Sequence, residues 1–432
     1  MIIAGEKGVI IMNNKIDKKA DVAIIGGGII GVCTAYYLLR SGAQVILVEK
    51  DELGAGCSDA NAGLIVPGHS MPLATPGVIA KGIRWLLHPE SPFYIKPRFD
   101  PDLFSWLWLF RRACEHQRML KSMAYLCELN AASRALFEEM AGEGLDFFFE
   151  KKGLLIVCRT KSGFEGAIEE AREKEKLNLP VAVLDREKIL EMEPVLRSDV
   201  AGGLFFPQDA HIDCLQFVRA VAKKAEAEGV RIMTKTEVIA WEKENGHIKK
   251  IITTGGEIEA DQFVLAAGAW SPHLIRELGM KLLVQPAKGY SLTYLKPEPC
   301  PSHPLILAET KVAVTPLAEH LRFGGTLELT GLDSRINQRR VEAIKKAIPR
   351  YLHDLNPQNL ELVKLWRGLR PCSPDGLPFL GRTRKYNNLI IACGHAMQGV
   401  SLAPITGKLV AQILAGEKPL IDISPLAVER YN

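Results

Sequence analysis

Three glycines and one acid carry the chemistry that reads most directly from this chain. Gly26-x-Gly28-x-x-Gly31 follows the apolar run Val22 to Ile25, and Glu49 stands eighteen residues beyond Gly31, after Val45-Ile46-Leu47-Val48. In this pattern the first glycine allows a tight strand-to-helix turn and the second lets backbone approach a pyrophosphate. The third lets the helix pack on the strand, and the acid accepts hydrogen bonds from a ribose diol. Ile29 and Ile30 then open a helix whose free N–H groups and positive dipole end favour the diphosphate. A glycine pattern alone recurs by chance. Here strand, helix to Arg40 closed by Gly42, second strand and acid stand together, which points to an adenine dinucleotide. The motif does not choose between NAD and FAD; a terminal acid in place of an arginine argues against NADP.

Those residues need a strand-helix-strand unit to hold them, and residues 21–49 supply one. A loop rich in Gly, Ala and Ser follows through Gly68. Prolines and aromatics dominate from Met71 to Pro101, and Leu103 to Arg112 opens a helical region reaching about Glu143, an insert in the dinucleotide fold. Residues 153–158 and 203–206 read as strands around a charged helix at 162–176. Asp213 is placed to cap a helix running to Glu228 and closed by Gly229. Residues 230–234, 237–243, 248–253 and 262–267 read as a β-meander with turns at Asn245-Gly246 and Gly255-Gly256. Strands are expected at 288–294, 305–315 and 321–328 and a helix at 334–347. The block from Trp366 reads as glycine-rich turns leading to a helix that starts near Gly399 and ends near Leu414.

Length and composition set the class. The chain has 432 residues, 47% apolar and 24% charged, which is ample for a large core in two or three domain-sized units. A net charge of +4 with no block of basic residues implies no nucleic-acid partner. The nine cysteines are scattered, with no C-x-x-C pair and no histidine at ligand spacing, which disfavours a metal centre and fits a reducing compartment. Met1-Ile2-Ile3 and Val9-Ile10-Ile11 are interrupted by Glu6 and Lys7 and lack a cleavage site, so they do not form a signal peptide. Met12 offers a second start, and residues 1–19 read as a disordered leader. No apolar run is long enough to span a membrane.

Four further motifs then line up in one order: Ser58-Asp59-Ala60-Asn61-Ala62-Gly63-Leu64, Ala266-Ala267-Gly268-Ala269-Trp270, Trp366-Arg367-Gly368-Leu369-Arg370-Pro371, and Gly394-His395 with Gly399. With the opening fingerprint they resemble the D-amino acid oxidase superfamily of FAD-dependent amine oxidoreductases, from about residue 20 to the C-terminus. Asn61-Ala62-Gly63, Pro67-Gly68, Ala74 to Val78 and Lys288 to Leu292 are most similar to the bacterial D-amino acid dehydrogenase small subunits. Gly394 to Val400 with Leu402-Ala403-Pro404 is more similar to glycine oxidases and D-proline or D-hydroxyproline dehydrogenases.

The resemblance implies an α/β fold: a Rossmann-like FAD-binding domain (20–68, 201–286 and 361–432) with an interleaved α+β substrate domain (69–200 and 287–360) carrying a mixed or antiparallel sheet. It implies FAD contacts at Gly26, Gly28, Ile29, Ile30, Gly31, Glu49, Lys50, Ser58, Asn61, Ala62, Gly63, Leu64, Val238, Ala267, Gly268, Trp270, Gly368, Gly394, Gly399 and Val400. The implied reaction is hydride transfer from the α-carbon of a D-amino acid to flavin N5, giving an imino acid that water hydrolyses to a 2-oxo acid and ammonia. Such a step needs orientation above all. Arg370 matches the family's carboxylate-binding arginine, because a planar guanidinium can hold a carboxylate by two parallel bonds. Tyr290 either touches the substrate or is a core tyrosine with its hydroxyl satisfied. His395 either lies near the flavin and substrate or serves a turn. The helix after Gly399 can stabilise negative charge on the reduced flavin's N1–C2=O edge. Cys372 and Cys393 read as small buried thiols.

Several readings stay open at this point. The preferred substrate is a D-amino acid, or alternatively glycine, D-proline or D-hydroxyproline. Electrons pass to a quinone or to a partner subunit of a homo- or hetero-oligomer. A non-catalytic flavin subunit would have no use for Arg370, and an NAD-linked dehydrogenase would leave the Gly268 and Gly394 motifs unexplained. The apolar cluster at 103–110, with Arg111 and Arg112, is either a buried helix of the insert or a peripheral membrane contact on the cytoplasmic face.

Overall fold

The computed structural model describes residues 18–86 and 91–431. The leader expected at 1–19 falls outside them except for Lys18 and Lys19, which already belong to the first strand.

The chain opens with β1 (Lys18–Ile25), α1 (Ile29–Arg40) and β2 (Val45–Val48), the strand-helix-strand unit of the fingerprint. The insert follows as β3 (Leu64–Ile65), α2 (Val78–Leu86), β4 (Phe93–Ile95), α3 (Pro101–Ala113) and α4 (His116–Gly142). α3 starts where Asp100 accepts the Asp102 and Leu103 N–H groups and Pro101 fits the first turn. Next come β5 (Phe149–Glu150), β6 (Leu154–Cys158), α5 (Lys161–Glu175), β7 (Ala182–Asp185), α6 (Arg186–Met192), β8 (Gly202–Phe206) and β9 (Ala210–Ile212). Asp213 caps α7 (Cys214–Ala227) by accepting from Leu215 and Gln216 N–H. β10 (Arg231–Met233), β11 (Val238–Glu244), β12 (His247–Thr253), β13 (Gly256–Leu265) and α8 (Ser271–Arg276) complete this half.

The remaining elements are β14 (Gln285–Leu295), β15 (Leu305–Leu307), β16 (Val312–Pro316), β17 (His320–Leu329), α9 (Gln338–Tyr351), β18 (Leu362–Cys372), β19 (Phe379–Arg382), β20 (Leu389–Cys393) and α10 (Ala403–Ala415).

Two large sheets divide the work. In the first, β10, β2, β1, β13 and β20 run parallel, so the C-terminal ends of β1, β2, β13 and β20 open on one edge. Ligands bind at such an edge. α1, α4, α7 and α10 cover one face through a shared apolar core. The second sheet runs β18-β14-β17-β16-β15-β6-β8-β7, with β4 added along the end of β17 and α9 packed on one face. It is mixed, because β15–β6 and β17–β4 pair parallel while the other neighbours pair antiparallel.

Four elements differ from the sequence reading. β10 leaves the meander and joins β2 on the far edge, so only β11, β12 and β13 form it. The single strand expected at 305–315 is two, β15 and β16, turned at Lys311, which takes a positive φ of 55°. The block after Trp366 does not begin as turns: β18 is an eleven-residue strand at the edge of the second sheet, and the glycine-rich turns come later, around Gly376 and over 394–402. α10 begins at Ala403, with Gly399 and Val400 in the turn before it. β8 and β18 belong to the second sheet, so 202–206 and 362–372 lie with the elements expected to bind substrate.

Candidate active site

The C-terminal ends of the parallel strands form one wall of a cleft of about 390 Å³. At its nucleotide end each fingerprint glycine answers a different demand. Gly26 holds φ at +113°, and a Cβ there would lie 2.5 Å from the Ala266 carbonyl oxygen. A Cβ on Gly31 would lie 1.8 Å from the Gly26 carbonyl oxygen, so only glycine lets α1 pack this closely. A Cβ on Gly28 would meet nothing nearer than Ser58 Oγ at 3.5 Å. Gly28 therefore faces open cleft. The Ile29 N–H donates to Ser58 Oγ at 3.0 Å, and the Ile30 N–H has no acceptor among the described residues.

Glu49 ties the turn together. One oxygen accepts the Gly27 N–H at 2.7 Å and the other the Asp51 N–H at 2.9 Å, while the carboxylate keeps lone pairs at the cleft rim. Lys50 Nζ sits 4.0 Å from the centroid of the Trp270 ring, and both line the cleft with Val238, Ala267 and Gly268. Gly268 has a positive φ of 53° and open space on its Cβ side.

The loop carrying Ser58 and Asn61 is gripped by the second sheet. Ser291 Oγ donates to the Ala60 carbonyl at 2.8 Å, Arg322 Nη1 to Asn61 O at 2.8 Å and Thr315 Oγ1 to Ala62 O at 2.7 Å. Ala62 and Gly63 thus shape the loop from behind, Gly63 packing where a Cβ would be 2.1 Å from Ile212 O, and Leu64 starts β3. These three do not line the cleft.

The far wall comes from β18 and the 394–400 turn. Leu369 and Pro371 line the cleft, and Ala396, held at φ +49° with its N–H on Pro371 O, brings His395 beside them. His395 is buried, and burial pushes its pKa down to about 3, so the ring is neutral. The Thr406 hydroxyl spends its hydrogen on Leu402 O, so at 3.0 Å it accepts from His395 Nε2–H. Nδ1 is then a bare acceptor with no partner among the described residues. The Gly399 and Val400 N–H groups also lack acceptors there. Gly394 turns the chain under Phe379 and Gly368 lies under Trp366, both off the cleft lining.

Arg370 stands between Leu369 and Pro371 on the same strand. Its guanidinium lies across Gly289, where a Cβ would be 2.1 Å from Nη1, and Nη1 donates to the Thr326 carbonyl at 2.9 Å. Thr326 holds a positive φ of 70°, which turns that carbonyl to the arginine. No carboxylate among the described residues pairs with Arg370, so its remaining donors are available, although Arg370 itself is not among the residues that line the cleft. Tyr290 is not brought to this place. It is buried in the α9-side core, donates to Glu328 Oε2 at 2.6 Å and accepts the Asn337 N–H at 3.2 Å.

Cys57, Leu369, Pro371 and Ala396 also line the cleft without having been singled out for it. Only the last three had a signal, their place inside the Gly368–Pro371 and Gly394–Gly399 motifs. The open cradle at Gly28, unpaired N–H groups at both ends and the bare His395 Nδ1 together fit a dinucleotide cofactor with a polar ring system at its far end.

Comparison with known proteins agrees with this geometry. The family profile described as FAD dependent oxidoreductase (DAO) matches residues 21–413. The D-amino acid dehydrogenases of Bradyrhizobium diazoefficiens and Agrobacterium fabrum are 36% and 34% identical, each over 95% of this chain and 98% and 99% of their own lengths. The glycine oxidase of Geobacillus kaustophilus superposes with a TM-score of 0.79 at 26% identity, over 96% of this chain and 100% of that one. The L-proline dehydrogenase of P. horikoshii shares the fold at a TM-score of 0.76 and 20% identity, over 96% and 98%. On the profile and on relatives of this identity along nearly the whole length, the chain belongs to the DAO family of FAD-dependent oxidoreductases.

Proposed function

We propose that this protein oxidises a D-amino acid to the 2-oxo acid and ammonia, with Arg370 holding the substrate carboxylate. The observation that carries the reading is the seating of that guanidinium: fixed by Gly289 and Thr326, unpaired with any described carboxylate, and close enough to the cleft-lining Cys57 for its charge to act on that thiol. Bound FAD supplies the acceptor for the hydride that leaves the α-carbon. What the chain supplies is aim, because two parallel N–H donors fix the carboxylate and with it the α-carbon. Leu369, Pro371 and Ala396 give that region an apolar lining, and neutral His395 adds no charge to it. The naming of the curated relatives supports a D-amino acid, the likeness to a glycine oxidase keeps glycine as the second reading, and the Gly394–Pro404 stretch keeps D-proline and D-hydroxyproline beside it.

Anaerobic bleaching of bound flavin with D- and L-amino acids, glycine, sarcosine and proline analogues tests the substrate. D-amino acids are expected to bleach fastest; faster bleaching by glycine or D-proline installs the second reading. Arg370→Lys should keep FAD and slow flavin reduction. Arg370→Ala should lower kcat/KM about thirtyfold to several thousandfold, the effect of losing roughly 2–5 kcal/mol of charge-assisted binding. A decarboxylated amine should lose little, and an Arg370→Ala variant bleached by the amino acid at the wild-type rate would show the arginine to be structural.

The electron acceptor is proposed to be a membrane quinone. α3 buries Leu103 and Trp106 but leaves Phe104 55% and Trp108 57% exposed, and the adjoining Phe99 is 91% exposed. Arg112 lies 4.8 Å over the Trp108 ring, and Arg111 is beside it, which suits an anionic lipid surface. Among the described residues no helix is long and apolar enough to cross a membrane. Sedimentation with anionic vesicles should recover the wild type and lose a Phe104→Ser/Trp108→Ser variant; equal recovery rejects the contact.

A further inference from the structure

The turn leading into α10 is held from behind by one buried amide. Asn130 lies midway along α4, fully buried between the apolar turns of Leu126 and Leu129, where packing alone would favour another leucine. A buried amide is costly unless bonded, and this one is bonded on every side. Its Nδ2 donates to Gln398 Oε1 at 3.0 Å and Ser70 Oγ at 2.8 Å, with the Leu126 carbonyl at 2.9 Å sharing a hydrogen. Its Oδ1 accepts from Ser401 Oγ. Gln398 and Ser401 flank Gly399 and Val400, which line the cleft and whose N–H groups have no acceptor among the described residues. The far anchor is fixed as well: the Gly68 N–H donates to Asp209 at 2.7 Å, Lys174 Nζ donates to Gly68 O at 3.0 Å, and the Val66 N–H donates to Ser401 Oγ at 3.0 Å.

We propose that Asn130 is a positioning residue that ties both shoulders of this turn, aims the Gly399 and Val400 N–H groups at the flavin, and so sets its reduction potential. Donors fixed where negative charge accumulates stabilise the reduced form over the oxidised one, and donors free to turn away do so less. The proposal rests on the flavin reading above.

The test is the two-electron midpoint potential of FAD in the holoenzyme. Asn130→Leu and Ser401→Ala should each weaken the preference for the reduced form about tenfold, a fall of about 30 mV. The double variant should fall by less than the sum, because both substitutions cut the same tie. Ser133→Ala, on the same helix one turn further along and bonded to neither Gln398 nor Ser401, should leave the potential in place, and oxidised FAD should bind all variants with similar affinity. Unmoved potentials with lowered melting temperatures, or shifts that add in full, overturn the proposal. If Asn130→Leu does not fold, Ser401→Ala decides alone, and a wild-type potential in that variant overturns it. Wild-type protein that binds no flavin would instead defeat the flavin reading, which keeps the two failures apart.

Discussion

On the parallel-sheet side of the cleft, Gly28 leaves a space that no side chain of the protein enters, whereas on the second sheet Gly289 leaves a space that the protein itself fills with the Arg370 guanidinium. Directly across the β14–β18 ladder from Gly289, Gly368 does the same for the Trp366 indole. One wall therefore leaves the space beside its backbone open, and the other fills the space beside its backbone with its own side chains. The first arrangement suits a cofactor shared by a whole family; under the role proposed for Arg370, the second can change its ligand by changing a side chain.

The largest expected effect tests the first wall. Gly28 caps α1 in extended backbone that any residue adopts, so Gly28→Val should fold, with a melting temperature slightly below that of flavin-free wild type because valine is a poorer helix cap than glycine. It should purify without flavin, since the side chain takes the space a pyrophosphate needs. Stoichiometric FAD in that variant would erase the contrast between the walls.

Gly289→Ala tests the second. Its Cβ must displace Nη1 of Arg370, so FAD should stay while kcat/KM falls about tenfold to a hundredfold, roughly 1.4–2.7 kcal/mol of lost aim. Gly368→Ala meets Trp366 instead, 2.1 Å from its ring edge. It should lower stability by about 1–3 kcal/mol through overpacking and change kcat/KM by less than about threefold. Equal activity losses in the two variants would show that the sheet acts as one packed unit.

The smallest effect is in pH. Burial holds His395 at about 3, below its ordinary 6.5, so its contribution is present above about 6.5 and is lost as pH falls toward 3. Burial raises Asp209 from 3.8 to about 7, although the Gly68 and His69 N–H groups oppose the rise, so its contribution is present below about 4 and is lost as pH rises through about 7. Melting curves should therefore show the wild type losing ground to Asp209→Asn as pH rises from 4 to 8, and to His395→Gln as pH falls from 7 to 4. A gap that does not change with pH rejects either assignment.

The two walls also differ in how far they can be read before folding. Close approach by backbone demands glycine at fixed offsets, so Gly26, Gly28, Gly31 and the acid that ties their turn stand out in the chain. Asp213 is legible for the same local reason, since a cap needs only its own helix. The second wall depends on which face of a strand looks at the cleft. β14 is buried on both faces for all but its last residue, so no alternation tells Tyr290 from Ser291, and α9 takes the tyrosine. Gly368 and Pro371 imitate a turn, yet they sit in an edge strand, where proline is tolerated and glycine makes room for a ring. Lys311 turns the chain with a residue that carries no turn signature, and β10, three residues long, gives no hint of the edge it will join.

The grip of Ser291, Arg322 and Thr315 on three consecutive carbonyls of the 60–62 loop has a consequence for lifetime. That loop carries the hydroxyl bonded to the first N–H of α1, and it cannot retreat without breaking its bonds to side chains of β14, β16 and β17 together. A dinucleotide seated against that loop should therefore exchange more slowly in the wild type than in a Ser291→Ala/Thr315→Ala variant, because three bonds of about 1 kcal/mol each must open together.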